Sequence, residues 1–374
     1  MVSAALVLSW TLSAMAGSPV APVARPAAQV RPVPPAPPSP PLPPIPPLPS
    51  NRRGLRSDRV EWSHDYGGSL RITVRGRVDL TDDERDVKDI IGNGYVEISE
   101  QARSWFFRPD GRRYVVRRVA NGELSRRFIV NGSDQPMDAA ARSWIGDAVQ
   151  AFVRDSGFNA DLRIARILAT RGATGVLEEI ARIPSDFVQA IYYVELAKQA
   201  SADKATIERA LRQAAHDIGS DFELARTLGA FADAVALDDT LGAAFADATR
   251  SIGSDFEHAR VLTALLQSDR QTMVAERVVL ASVTGIQSDF ERQRVLSTLA
   301  VKKGLADETV IGIAQSTSSM GSDFEKARVL LRLVGAQPIG PAAKPALVKA
   351  VNSIGSDFER GRVLSTMLRQ GTLQ

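Results

Sequence analysis

Ser220-Asp221-Phe222-Glu223, Ser254-Asp255-Phe256-Glu257, Ser288-Asp289-Phe290-Glu291, Ser322-Asp323-Phe324-Glu325 and Ser356-Asp357-Phe358-Glu359 are five copies of one tetrapeptide, and their spacing decides the fold. A sixth copy, Ser185-Asp186-Phe187-Val188, lacks the final acid. Successive serines lie 35 residues apart once and then 34 apart four times. A fixed period of that size predicts a stack of helical hairpins, each too small to bury its own apolar face.

Within each copy, Ser-x-x-Glu reads as a capping box. The serine oxygen is expected to accept from the glutamate N–H, and the glutamate carboxylate to return to the serine N–H. The aspartate then occupies the first helical position, where negative charge suits the helix dipole. In the unit that starts at Ser254, Phe256, Ala259, Leu262 and Leu266 are predicted to line the buried face, with Val261 and Leu265 beside it. A break at Ser268-Asp269 and a second helix from Met273 to Gly285 complete the hairpin. The capping and repeat residues are therefore Ser185, Ser220, Glu223, Ser254, Glu257, Ser288, Glu291, Ser322, Glu325, Ser356 and Glu359.

Arg226, Arg260, Arg294, Arg328 and Arg362 each follow a capping glutamate by three residues. They form the candidate interaction stripe. The competing expectation is that they make i,i+3 ion pairs that set the register of the stack, and it is favoured because every member of the motif already has a local task. Ligand specificity would then fall on positions that vary between units, including Leu224, His258, Arg292, Lys326 and Arg360.

Outward from the repeats, residues 158–374 are expected to be the helical array, with 160–168 as its degraded first copy. Residues 137–157 read as a connecting helix, since Ala141, Trp144, Ile145, Ala148, Val149 and Phe152 recur at helical spacing. Residues 57–132 alternate with period two and are punctuated by Gly67-Gly68, Gly92-Asn93-Gly94, Asp110-Gly111 and Asn121-Gly122. That pattern predicts an antiparallel sheet of about five to seven strands with hairpin turns at the glycines. Arg71, Arg75, Arg113, Arg117 and Arg127 fall on its outer face, which suits an anionic surface or glycan, or simply solvent. Residues 17–56 are a Pro-rich linker, extended as polyproline II. Residues 1–16 end an apolar run in Ala14-Met15-Ala16 and read as a signal peptide cut before Gly17, or as an uncleaved anchor. The fold class is thus α+β multidomain, a small antiparallel β domain followed by an α–α superhelical solenoid of about 34-residue helix-turn-helix repeats. The Trp-x-x-Leu-Gly-x-x-Tyr pattern of tetratricopeptide repeats is absent, so the units look HEAT-like or divergently tetratricopeptide-like.

Chemistry is sparse. The 374 residues contain no cysteine, which excludes disulfides, thiolate metal sites and a cysteine nucleophile. The net charge of +3 is small, and no Lys/Arg cluster is interleaved with stacking aromatics, so no nucleic-acid partner is expected. His64, His216 and His258 share no metal-ligand spacing, and His216 and His258 are expected on exposed helix faces. No phosphate loop, dinucleotide fingerprint or nucleophile elbow occurs. Asp82, Asp83, Glu84, Asp86 and Asp89 carry enough carboxylates for calcium but not its loop pattern, so they read as a solvated loop or a helix start. No catalytic, metal-binding or cofactor residue is expected.

From Arg59 to Gln374 the chain resembles an exported segment of some homologues of the beta-lactam-sensor antirepressor metallopeptidases. The resemblance rests on Leu80-Thr81-Asp82-Asp83, Asp86-Val87-Lys88, Gly94-Tyr95, Val130-Asn131-Gly132 and the tetrapeptide repeats. It implies an extracytoplasmic sensing or interaction region of a membrane regulator. The zinc motif His-Glu-x-x-His does not occur, so no proteolytic residue carries over. The expected role is a non-enzymatic exported scaffold, periplasmic or secreted, that binds a protein or peptide partner of the cell envelope, with a possible membrane tether through the N-terminus. The alternatives are a sensory ectodomain and an envelope enzyme with its site on the β domain.

Overall fold

The computed structural model describes residues 59–65, 69–101, 111–198, 203–270 and 273–372, all within one unit, Leu42–Gln374. The expected signal segment 1–16 and linker 17–56 lie outside the described residues, as do Gly67-Gly68 and Asp110.

Six antiparallel strands pair strictly in chain order: β1 (Arg59–Asp65), β2 (Ser69–Leu80), β3 (Val87–Gln101), β4 (Gly111–Arg118), β5 (Leu124–Val130) and β6 (Ser133–Gln135). Ile72, Val74, Val96, Ile98, Tyr114, Val116 and Phe128 fill the buried face. Asn121-Gly122 makes the expected hairpin turn between β4 and β5. Gly92-Asn93-Gly94 does not turn the chain. It lies inside β3, opposite a register shift between Arg75 and Arg77 of β2. Gly92 takes φ 77°, a conformation glycine adopts at no steric cost, so the triplet is a bulge rather than a hairpin. The chain reverses instead at residues 81–86, between β2 and β3.

Helix α1 (Ala139–Ser156) lays Ala141, Ile145, Ala148, Val149, Phe152 and Val153 on the sheet. Asp138 caps it, and Gly157 ends it at φ 66°. Helix α2 (Ala160–Ile180) breaks at Gly172, so residues 160–171 and 173–180 are separate helical stretches, as a degraded hairpin would be.

Eleven further helices follow in two interleaved series. One comprises α3 (Asp186–Lys198), α5 (Asp221–Ala234), α7 (Asp255–Gln267), α9 (Asp289–Ala300), α11 (Asp323–Ala336) and α13 (Asp357–Arg369). The other comprises α4 (Lys204–Asp217), α6 (Asp239–Arg250), α8 (Met273–Ser282), α10 (Asp307–Ser318) and α12 (Lys344–Asn352). Each helix packs on its predecessor and successor in its own series, giving two layers. Between them runs one apolar core that includes Leu228, Phe231, Leu262, Leu296 and Leu330.

Every tetrapeptide starts a helix of the first series, but only half of the expected capping box is made. Ser220, Ser254, Ser288, Ser322 and Ser356 each accept from the N–H of the glutamate three residues on, at 3.3–3.4 Å. Ser185 does so at 3.5 Å from Val188. The glutamates do not return to the serine N–H. That N–H is taken by the aspartate of the preceding unit: Ser220 by Asp186, Ser254 by Asp221, Ser288 by Asp255, Ser322 by Asp289 and Ser356 by Asp323, at 2.7–2.8 Å. The N–H before the serine joins in at Gly253, Gln287 and Gly321. These bonds are shorter than the serine caps and carry a full negative charge, so they are the stronger interaction. A β-carbon at Gly321 or Gly355 would sit a tight 3.2 Å from the incoming carboxylate, whereas at Gly219 and Gly253 it would make ordinary contact and Gln287 is accommodated at the same position.

A second charged junction ties the sheet to the helices. The Arg163 guanidinium donates to Glu84 on the β2–β3 loop at 2.6 Å, to Glu179 at 2.7 Å and to the Tyr192 hydroxyl at 2.8 Å. Arg166 also donates to Glu84, and Arg154 to Glu179. Glu84 is held at φ 56° to reach this position. Burial alone would pull the Arg163 pKa down, yet Tyr192, Glu84 and Glu179 hold it above its ordinary value.

Denaturant unfolding of four variants checks these junctions. Asp255→Ala should cost about 2 kcal/mol, because two backbone donors lose a charged acceptor. Ser288→Ala should cost only about 1 kcal/mol. Asp357→Ala should stay within about 0.5 kcal/mol, since Asp357 is exposed and its partner is Arg360 rather than the start of another unit. Equal losses at Asp255 and Asp357 would refute the inter-unit role. Arg163→Leu should cost about 3 kcal/mol, because buried Glu84 and Glu179 each lose a hydrogen-bonded partner and keep only the more exposed Arg166 and Arg154.

Candidate functional site

The side chains freed by the aspartate bonds build the most regular surface of the molecule. With the serine N–H occupied, each glutamate turns to the arginine three residues on. The pairs are Glu223–Arg226 at 3.0 Å, Glu257–Arg260 at 2.7 Å, Glu291–Arg294 at 2.8 Å, Glu325–Arg328 at 3.4 Å and Glu359–Arg362 at 2.8 Å. The arginines are not a free charged stripe. Arg226, Arg260 and Arg294 are buried, Arg328 is nearly so, and Arg362 is 21% exposed.

What covers them is a row of phenylalanines. Arg226 lies 5.2 Å from the ring centroid of Phe187, and Arg260 5.0 Å from that of Phe222, in each case the ring of the preceding unit. Arg294 sits between Phe256 and Phe290, at 5.8 and 5.9 Å. Arg328 and Arg362 lie against Phe324 and Phe358 of their own units. All are within cation–π range.

The rings themselves face water. Phe187, Phe256, Phe290, Phe324 and Phe358 are 36–49% exposed, and Phe222 is half-buried. This corrects the expectation that Phe256 belongs to the core with Ala259, Leu262 and Leu266. At the second helical position the ring clears the layer interface, and Ala259, Val261, Leu262, Leu265 and Leu266 form the buried face without it. The surface is thus a ladder of aromatic rings, one per unit, underlain by guanidinium–carboxylate pairs.

Burial shapes the titration of those pairs. Desolvation pushes the carboxyls of Glu223, Glu257, Glu291 and Glu325 above the usual range. Their arginines pull the other way, and the aspartate of the preceding unit adds to the rise. Desolvation lowers Arg226 and Arg260. Asp323 moves down, chiefly because the N–H groups of Gly355 and Ser356 bond to its ionised form.

The varying positions do not supply a recognition surface either. Leu224 and His258 are buried, which corrects the expectation that His258 lies on an exposed helix face. The His258 Nε2 lies 2.8 Å from Ser282 Oγ at the end of α8, and burial lowers its pKa. Lys326 donates to the Ser353 carbonyl at 2.9 Å, and Arg360 to that of Ile354 at 2.9 Å. Arg292 donates to the Thr284 carbonyl at 3.1 Å. The three cations stitch the carboxyl ends of second-series helices, where positive charge is favoured. His216 is exposed, as expected.

The acidic run beside the sheet is fully engaged. Asp82 pairs with Lys88, Asp83 accepts from Thr81, Glu84 meets Arg163, Asp86 accepts from Tyr114, and Asp89 pairs with Arg118. Among the described residues no group of three His, Asp or Glu side chains is placed to share a metal ion.

No family model matches the chain, and neither curated proteins nor solved structures include one similar to it.

The ladder carboxyls have a measurable signature. A group with a raised folded pKa contributes stability that is full below its unfolded pKa and is lost as pH rises through the folded value. A group with a lowered folded pKa does the reverse: its contribution is present above the unfolded pKa and lost as pH falls through the folded value. Carbon-detected titration of the side-chain carboxyls should therefore place Glu223, Glu257, Glu291 and Glu325 above the ordinary glutamate value of about 4.3, and Asp323 below the ordinary aspartate value of about 3.9. Glutamates that titrate normally would show the pairs to be open to water.

Proposed function

We propose that the chain is a non-enzymatic interaction scaffold of the bacterial cell envelope. Helical hairpins of about 34 residues stack as an α–α solenoid, and a protein or peptide partner lies along the phenylalanine ladder. The observation that carries this reading is the exposure of one large apolar ring at the same position in five of the six units, the last four of them successive. Scattered exposed apolar residues need no explanation, but a contiguous row of them marks an interaction surface.

The pitch of the ladder favours an extended partner. Packed helices lie about 8–10 Å apart. A polyproline II segment presents the same face every three residues, about 9 Å along its axis. A β-strand presents the same face every two residues, about 7 Å along, and drifts out of step. Aromatic grooves that read proline-rich segments work on this principle. Export, the envelope location and the likeness to the metallopeptidase regulators belong to the same proposal, with regulation of a membrane partner as one use of the scaffold. No helix among the described residues is long and apolar enough to cross a membrane.

The test is site-specific photocrosslinking in envelope extract. A crosslinking residue at Phe290 or Phe324 should capture a partner that one at Arg277, exposed on the second helical series, does not. A labelled oligoproline should compete with it. A combined Phe256→Ser, Phe290→Ser and Phe324→Ser variant should lose capture while each change costs only about 1–2 kcal/mol of stability. Equal capture from Arg277, or turnover of a cell-wall substrate without capture, would overturn the proposal.

A further inference from the structure

The sheet carries a second surface that the ladder does not use. Register pairs Arg75 with Tyr95 and Tyr95 with Arg117 across β2, β3 and β4. The neighbouring pair, beyond the bulge, is Arg77 with Ile91. The interleaved positions Val74, Val96, Val116 and Ile90 are buried against α1, so these five residues lie on the opposite, outer face. Arg75, Arg77 and Arg117 are exposed and Tyr95 is half-buried. Ile91 is 49% exposed, and Val119, two residues beyond Arg117, is 38% exposed.

The outer face divides into a neutralised part and an open part. Arg113 is paired with Glu97, and Arg127 with Asp134. Among the described side chains none pairs with Arg75, Arg77 or Arg117. Against these three cations stand Asp79, two residues along β2 from Arg77, and Glu123, which lies opposite Val119 and accepts from Asn121, so the strip keeps a small net positive charge.

We infer that this end of the sheet docks on the headgroups of an anionic lipid surface. Arg75, Arg77 and Arg117 would meet the phosphates, Tyr95 would sit at headgroup level, and Ile91 and Val119 would enter the acyl boundary. Charge complementarity selects an anionic partner. The cations are spread across three strands, with Arg75 and Arg117 about 10 Å apart, which suits a plane of charges rather than one small anion. The apolar pair decides between a lipid surface and a soluble polyanion. A sulfated glycan or a nucleic acid gains nothing from Ile91 and Val119, whereas membrane attachment depends on both apolar insertion and cationic attraction. Interfacial tyrosine fits the same arrangement.

Co-sedimentation of the full chain with vesicles tests this. Vesicles of mixed phosphatidylglycerol and phosphatidylcholine should retain the protein more strongly than phosphatidylcholine alone, and added salt should weaken the difference. Using the full chain throughout keeps the contribution of residues 3–16 constant. Arg75→Gln with Arg117→Gln should lower the preference by about fivefold per arginine and flatten the salt dependence. Ile91→Ser should weaken binding and leave the salt slope unchanged. Anionic-vesicle binding that is indifferent to these variants would overturn the inference. So would retention on heparin that needs the arginines but neither Ile91 nor vesicles, which would assign the strip to a soluble polyanion. Should the double variant fail to fold, wild-type binding to anionic vesicles that does not fall with salt would sink the inference by itself.

Discussion

An aspartate carboxylate at the first position of one helix, bonded to the backbone N–H groups that start the equivalent helix of the next unit, is the constraint from which the rest of the array follows. The first N–H groups of any helix lack partners within it. Here those groups are the means by which successive units recognise one another. The bond fixes the separation and register of neighbouring helices, because each carboxylate reaches the serine N–H of the next unit at 2.7–2.8 Å and, at three junctions, the N–H before it at 2.8–3.0 Å. Glycine stands before the serine at Gly219, Gly253, Gly321 and Gly355, but Gln287 makes the same bond while carrying a side chain. The bond also occupies the serine N–H, so the glutamate cannot complete its capping box. The glutamate turns to the arginine instead, the arginine is drawn beneath the rings, and the rings are left facing outward.

The opposite ends of the second-series helices are held by a different device. Arg292, Lys326 and Arg360, all at one register, donate to carbonyls just beyond the ends of α8 and α12, at Thr284, Ser353 and Ile354. The buried Glu–Arg pairs add less net stability than their short distances suggest. Desolvating two charges offsets most of their attraction, and the raised glutamate pKa values are the trace of that cost.

The period, the helix starts and the alternation of the sheet were legible in the sequence because each is a local pattern. Ser-x-x-Glu was read half correctly: the competing donor–acceptor pair joins residues 33 or 34 apart, and no local template contains it. Gly92-Asn93-Gly94 looks like a turn, and only the pairing of β2 with β3 shows that the chain continues through it. Arg163 and Glu84 are 79 residues apart and carry no motif, so the junction of sheet and helices was not readable at all. Phe256 was placed in the core because its spacing from Ala259 is helical, but spacing alone does not say where on the helix the packed layer begins.

The first unit separates structural need from surface role. Val188 stands where the other units have glutamate, and Ile191 where they have arginine, and both are buried. The charged pair is thus replaced as a pair by apolar packing, which shows that the array can be built without it. Asp186 is retained, as the inter-unit bond to Ser220 demands. Phe187 is retained as well, 39% exposed, in a unit that has no arginine of its own. Stacking on Arg226 of the next unit gives the ring a partner but does not require it to remain in water. An exposed cation–π contact is worth about 0.5–1 kcal/mol, which any buried aromatic arrangement could match. A ring kept at the surface in five of the six units, including the one from which its usual neighbours have been removed, is better explained by what it meets outside the chain than by what lies beneath it.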